Sequence, residues 1–247
     1  MQYGELARVY DAFIYDMPYE RWCKFVVDNM NRADKIVELG CGTGNLTVLL
    51  ARYFDVTALD ISGEMLEYAS EKIRQGGKKA RLINENMCDF SLHRQVDGAV
   101  CACDGINYLK TPEQIKQAFF SVNRAIKLGG RFIFDISTEY KLRGMANELY
   151  SEDSDEATYI WRNSFDEATK QITMDLAFFV LNKSGNYTRF DETHIQRAHS
   201  VEELTVWLEE CGFKLISLND DYTNEQPKKE ALRITFCLEK VKALSEG

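Results

Sequence analysis

No stretch of this 247-residue chain comes near the ~18 consecutive apolar residues that a membrane-crossing helix needs, and no signal-peptide pattern precedes Tyr3. A complete metal-ligand set is also lacking. Cys101-Ala-Cys103 is the one close cysteine pair, and no second pair or nearby histidine brings it to four ligands, so no metal is expected. The seven cysteines are odd in number and scattered, which argues against a disulfide framework and for reduced thiols in a cytoplasmic setting. Basic charge is in deficit as well: 30 Lys and Arg face 39 Asp and Glu, for a net charge of −9. That balance disfavours a surface tracking the phosphates of DNA or long RNA, while docking of a structured RNA on a local patch stays open.

What the chain does have is enough apolar material for one large core, at 45% hydrophobic and 12% aromatic residues. Its organising stretch is Lys35 to Thr47, K-I-V-E-L-G-C-G-T-G-N-L-T. A short apolar run, Ile36, Val37 and Leu39, stops at Gly40, Gly42 and Gly44. An apolar helix pattern then continues through Leu46, Val48, Leu49 and Leu50. The pattern predicts a buried strand, a tight turn and a helix, the start of a Rossmann-like α/β sheet. The spacing is G-x-G-x-G rather than the G-x-G-x-x-G of pyrophosphate-binding turns, and Glu38 stands just before it. A carboxylate there would repel a pyrophosphate but suits a cationic ligand, which sets aside a nicotinamide-dependent oxidoreductase.

The string E-x-G-C-G-T-G resembles motif I of the class I S-adenosylmethionine (SAM) dependent methyltransferases. The resemblance implies a seven-stranded Rossmann-like sheet with helices on both faces and a glycine loop, Gly40, Cys41, Gly42, Thr43 and Gly44, packed on the methionine part of SAM. Glu38 would orient the cofactor's amino group. The strand Asp55–Asp60 ends in a carboxylate at the spacing expected of a ribose-hydroxyl acceptor, and Ile61 and Met65 follow as adenine contacts. Residues 81–90 resemble the family string G-D-M-x-D-F with Asn86 at its first acidic position. Asn86 and Met87 are therefore expected beside the adenine, with Asp89 as the fallback acceptor.

Further along, Val96–Cys103 reads as a buried strand, and its carboxyl end should face the ligands. Cys103 is assigned to the cofactor on that ground, Asp104 and Tyr108 to catalysis and Asn107 to substrate. Thr111-Pro-Glu-Gln114 is a capping box for a helix through Ile126, and Gly129-Gly130 is read as a turn into a strand Arg131–Ile136. From about 138 to 198 the composition changes: Tyr159–Phe165, Gln171–Leu181 and Tyr187–Ala198 alternate apolar or aromatic with polar residues, predicting an antiparallel meander where the family carries a substrate-binding insertion. His194 is its best general base by chemistry and Arg197 a substrate contact. Ser200-Val-Glu-Glu203 caps one more helix, and Lys214–Asn219 and Leu232–Glu239 should close the sheet.

The N-terminal string Y-x-x-x-A-x-x-Y-D resembles the cap of small-molecule methyltransferases, including sugar-amine N-methyltransferases. Residues 1–32 are expected to form a helical cap. Tyr10 would touch the cofactor there, and Tyr3 and Tyr15 the substrate. The domain reading is cap 1–32, SAM-binding domain 33–137 and 199–247, and β-rich insertion 138–198. The expected activity is methyl transfer from SAM, leaving S-adenosyl-L-homocysteine (SAH), to nitrogen or oxygen of a small molecule, by a monomer or homodimer. Two alternatives stay open: methylation of RNA or a ribosomal component, and SAM binding without catalysis.

Overall fold

The computed structural model describes Asp11 and residues 17–153, 157–182 and 184–244. The chain runs through α1 (Tyr19–Asn29), β1 (Lys35–Leu39), α2 (Asn45–Leu50), β2 (Asp55–Asp60), α3 (Gly63–Gln75), β3 (Ala80–Asn84) and β4 (Val96–Cys101). A 3-10 turn (Gly105–Tyr108) leads to α4 (Pro112–Ala125), β5 (Ile126–Ser137) and α5 (Glu139–Gly144). Four strands follow, β6 (Leu149–Asp153), β7 (Ala157–Asp166), β8 (Gln171–Leu181) and β9 (Tyr187–Arg197). The described elements end with α6 (Val201–Glu210), β10 (Phe213–Asp220) and β11 (Arg233–Lys240).

These strands make two sheets. Seven form a mixed sheet in the order β10-β11-β5-β4-β1-β2-β3, parallel from β5 to β3 and antiparallel where β11 enters between β5 and β10. The other four, β6 to β9, form an antiparallel meander in simple sequence order. The class I methyltransferase architecture expected from the glycine loop is the one observed.

Alternation along β5 distributes its side chains to the two faces of the large sheet. Phe132, Phe134 and Ile136 join Phe119, Phe213 and Phe236 on one side. Ile133 points to the other, where Trp22, Phe25, Leu46, Leu50 and Cys237 pack. Phe134 and Phe236 stack with ring centroids 4.7 Å apart. Burying each such ring contributes about 1.5–3 kcal/mol.

The capping sequences do their expected work. Thr111 Oγ1 accepts from the Gln114 backbone N–H while the Gln114 side chain accepts in return from the Thr111 N–H. Ser200 Oγ accepts from Glu203 N–H.

Two local expectations are corrected. Gly129 and Gly130 lie inside β5, which starts five residues before Arg131, and the β4–β5 register shifts between Val96 and Gly98 to absorb the extra length. Gly130 is needed there because a Cβ would come within 2.6 Å of the Asp97 carbonyl oxygen. Strand β6 and helix α5 are not predicted by the sequence pattern, since Leu149-Tyr-Ser-Glu-Asp153 is a short edge segment with little alternation and α5 spans fewer than two turns.

Candidate functional site

Two hydrogen bonds tie the glycine loop to the end of β2, and a third holds the Asp60 carboxylate against its own following turn. Cys41 N–H donates to the Leu59 carbonyl at 3.0 Å, Gly42 N–H to Asp60 Oδ2 at 2.8 Å, and Ser62 N–H to Asp60 Oδ1 at 2.9 Å. Asp60 therefore fixes the loop, and each carboxylate oxygen keeps a further acceptor direction. Burial pushes its carboxyl above the ordinary aspartate range, against the backbone N–H donors of Ser62 and Gly42.

Beside this loop opens a cleft of about 1030 Å³. Its first half is walled by Gly40, Gly42, Asp60, Ile61, Met65, Asn86, Met87 and Cys103. Asn86 Oδ1 already accepts from Cys88 N–H at 2.9 Å, which fixes the amide beside Met87. Asp89 is not on this wall; it is solvent-facing, with Arg124 3.9 Å away.

Four motif residues lie behind the wall rather than on it. Glu38 is fully buried and accepts a 2.7 Å hydrogen bond from Thr47 Oγ1. Burial, with Asp60 nearby, raises its carboxyl to about 8 despite that hydrogen bond. It braces the strand-to-helix turn from beneath, which departs from the expected contact with a ligand amine. Cys41 is buried against the Trp22 side of the core. Thr43 Oγ1 donates to Asp11 at 2.7 Å and accepts from Lys72 at 3.1 Å. Gly44 sits at φ +79°, and a Cβ there would lie 3.0 Å from Ala69 Cβ, so it serves the close approach of α2 to α3.

The second half of the cleft lies between the carboxyl ends of β4 and β5 and the meander. Tyr108, Tyr159, Trp161, Met174, Leu176, Phe178, His194 and Gln196 face it. Tyr108 Oη lies 3.4 Å from His194 Nδ1, with the rings edge to face. Burial depresses His194 to about 4, so the imidazole is neutral over the physiological range.

Its floor is a buried charge cluster. Arg233, the first residue of β11, pairs with Asp104 at 2.7 Å and also with Asp135. Gln196 Nε2 donates to Asp104 Oδ2 at 2.7 Å, and Asp104 N–H donates to Asp135 at 3.1 Å. Burial works against the charge on Asp104, but Arg233, the more distant Lys141 and the Gln196 hydrogen bond together outweigh it and hold the carboxyl down at about 2. A group so acidic and so fully paired is a poor proton acceptor, which corrects its assignment as a base. Cys103 and Asp104 both take positive φ, 55° and 53°, a backbone cost of about 1–3 kcal/mol each that these contacts offset.

Two substrate assignments are also corrected. Asn107 is completely buried; its Nδ2 donates to the Ser137 and Arg197 carbonyls and its Oδ1 accepts from Ser137 N–H. It bolts the 3-10 turn to β5 and β9. Arg197 lies one residue off the alternation that aims His194 and Gln196 at the cleft, and it pairs instead with Glu203 at 3.3 Å. Tyr3, Tyr10 and Tyr15 lie outside the described residues. Arg233, Lys141, Gln196 and Trp161 belong to no motif, and the sequence reading passes them over. The one available signal is Asp135, a carboxylate in an otherwise apolar strand, which demands a buried cationic partner.

A seven-stranded sheet with this glycine loop and carboxylate defines a SAM-dependent methyltransferase. Residues 36–130 match the family described as a methyltransferase domain. The chain is 32% identical to the "Putative methyltransferase YqeM" of Bacillus subtilis (strain 168), across 99% of each. A crystal structure of a SAM-dependent methyltransferase from Clostridium acetobutylicum ATCC 824 superposes with TM-score 0.86 at 34% identity, covering 96% of this chain and 98% of that one. The fold, at 18% identity and TM-score 0.74, is shared with SAM-bound CalS10, an amino pentose methyltransferase from Micromonospora echinaspora, over 94% and 96% of the two chains. The chain belongs to the SAM-dependent methyltransferases.

The first half of the cleft fits that cofactor. A Cβ on Gly42 would meet nothing within 4 Å, so the loop leaves open space beside its backbone. Asp60 offers acceptors for hydroxyls, and Ile61, Met65 and Met87 offer apolar surface to a base. Among the described residues no cluster of three or more His, Cys, Asp or Glu could hold a metal, and no helix is long and apolar enough to cross a membrane.

Proposed function

We propose that this enzyme methylates a nitrogen or oxygen atom of a small-molecule acceptor held between the large sheet and the meander. The observation that carries this reading is the continuity of the cleft, which runs from Asp60 and the glycine loop to the aromatic wall of the insertion. SAM, when bound, supplies a methyl group on a sulfonium that is already activated, so the protein has mainly to align and desolvate the reactants. In this reading Gly40 and Gly42 admit the methionine part, Asp60 accepts from the ribose hydroxyls, and Ile61, Met65, Asn86 and Met87 surround the adenine. The insertion, 138–198, is the acceptor-binding part, and the N-terminal segment, 1–32, is a cap.

Trp161, Tyr159 and Phe178 would exclude water from the acceptor, and their rings suit a mostly apolar or sugar-like body. Tyr108 and His194 are the groups within reach of an acceptor proton. A neutral imidazole accepts a hydrogen bond from a hydroxyl or amine and so orients its lone pair. The net charge of −9 favours such an acceptor over a nucleic acid.

The direct test is calorimetric titration of SAM, SAH and NADH into wild type and Asp60→Ala. Losing charge-assisted ribose hydrogen bonds should cost on the order of 1.5–3 kcal/mol, at least tenfold in affinity. SAM binding without NADH binding, weakened in Asp60→Ala, is the expected result. A folded wild type that ignores SAM would overturn the reading. Methyl transfer to amines and alcohols, followed by mass spectrometry, then decides between catalysis and binding alone.

A further inference from the structure

Lys141, in the first turn of α5, stands where two clefts meet. It lines the main cleft and also a second one of about 730 Å³, which shares Met17 and Arg233 as wall residues. Its Nζ donates to the Ser137 hydroxyl at 3.0 Å. Among the described residues no carboxylate lies within ion-pair distance of it. Arg233, the other cation that lines both clefts, is already committed to Asp104 and Asp135. Asp221, across the second cleft, is paired with Arg21 at 3.1 Å. Asp104, Asp135 and Asp221 act on Lys141 only through space, while burial, the larger effect, disfavours its charge.

A half-buried ammonium whose one direct hydrogen bond goes to a neutral hydroxyl, with carboxylates only at longer range, leaves a place for a counter-ion. The two remaining donor hydrogens of the ammonium are available for one. On the proposed reading of the cleft, we infer that Lys141 is a specificity-determining residue that anchors a carboxylate or phosphate group carried by the acceptor. The anionic group would sit at the junction of the two clefts, while the reacting nitrogen or oxygen lies toward Tyr108 and His194. Lys228 and Lys229, exposed at the rim of the second cleft, add positive potential on the approach, and Glu230 beside them limits it. The acceptor class is thereby narrowed to acidic small molecules: amino or hydroxy acids, or phosphorylated metabolites.

The test uses the full-length enzyme, uniformly labelled with nitrogen-15 and saturated with SAH. Inorganic phosphate, acetate and the neutral isostere acetamide are titrated in turn, and amide shifts are followed in two-dimensional correlation spectra. The expected result is saturable shifting of residues 137–141 and around 233 by an anion and not by acetamide, with affinity at least tenfold weaker in Lys141→Met and kept within about threefold in Lys141→Arg. The ratio of phosphate to acetate affinity distinguishes the two anion sources. Equal response to acetamide, unchanged anion affinity in Lys141→Met, or no saturable response up to roughly 100 mM would overturn the inference. SAH binding is read in the same samples, so failure of the cofactor reading is seen separately, and the anion titration without SAH still decides the role of Lys141.

Discussion

Glu38 shows how a motif residue can be buried behind the wall of a cleft. Its carboxyl is raised to about 8 by burial, whereas the unfolded chain would titrate near the ordinary glutamate value. Between those two values the folded state holds a proton that the unfolded state has lost. Stability from this group is therefore greatest at low pH and declines as pH rises through that window. The decline is on the order of a few kcal/mol, because each tenfold difference in proton affinity between the two states is worth about 1.4 kcal/mol. Glu38→Gln keeps an acceptor for Thr47 and cannot ionise. It should match wild type near pH 5 and exceed it in Tm at pH 8, as followed by circular dichroism melts. Parallel curves for the two proteins across that range would mean that Glu38 is ionised in the fold.

At the level of elements, the strand-turn-helix uses neighbouring glycines for separable purposes. Gly44→Ala would combine positive φ with a 3.0 Å contact to Ala69, costing about 2–4 kcal/mol of stability. Gly42→Ala meets no atom within 4 Å, so it should cost only about 1 kcal/mol of stability, while its new methyl intrudes on the space left for cofactor. Chemical denaturation alongside SAH titration would separate them: a loss confined to stability in the first and mainly to affinity in the second. The turn is legible in the sequence because spacing along a few residues determines it. The meander strands are legible for the same reason, since alternation is local. The charge cluster is not, because Arg233 and its partners Asp104 and Asp135 meet only when β11 docks on β5. In the sequence Arg233 is merely the edge of a closing strand. Asn107 and Arg197 mislead for a related reason: polar residues at a strand end look the same whether they face a cleft or tie down backbone. Lys141 falls before the first alternating segment, which begins at Tyr159, and only the Thr138 cap marks the short helix that carries it.

On the scale of the whole molecule, the cleft couples fold stability to ligand. SAH at 100 times its Kd should add about 2.7 kcal/mol, or roughly 5–11 °C in Tm for a chain of this size. Thermal shift across an SAH series checks both the size and its logarithmic growth with concentration. Absence of any shift at saturation would contradict a cofactor site inside the cooperative fold. The sheet order carries one more consequence, for the timing of assembly. Ile136 pairs with Ile234, so β5 must wait for β11 while the intervening chain is made, roughly 5–20 s at ordinary synthesis rates. During that interval the nascent chain presents Phe132, Phe134 and Ile136 on an unzipped edge, with Asp104 and Asp135 lacking their arginine. A ribosome halted before residue 233 would thus release a chain that has its glycine loop but neither a closed sheet nor the charged floor of the cleft, and quality control would meet it as a sticky, protease-sensitive fragment.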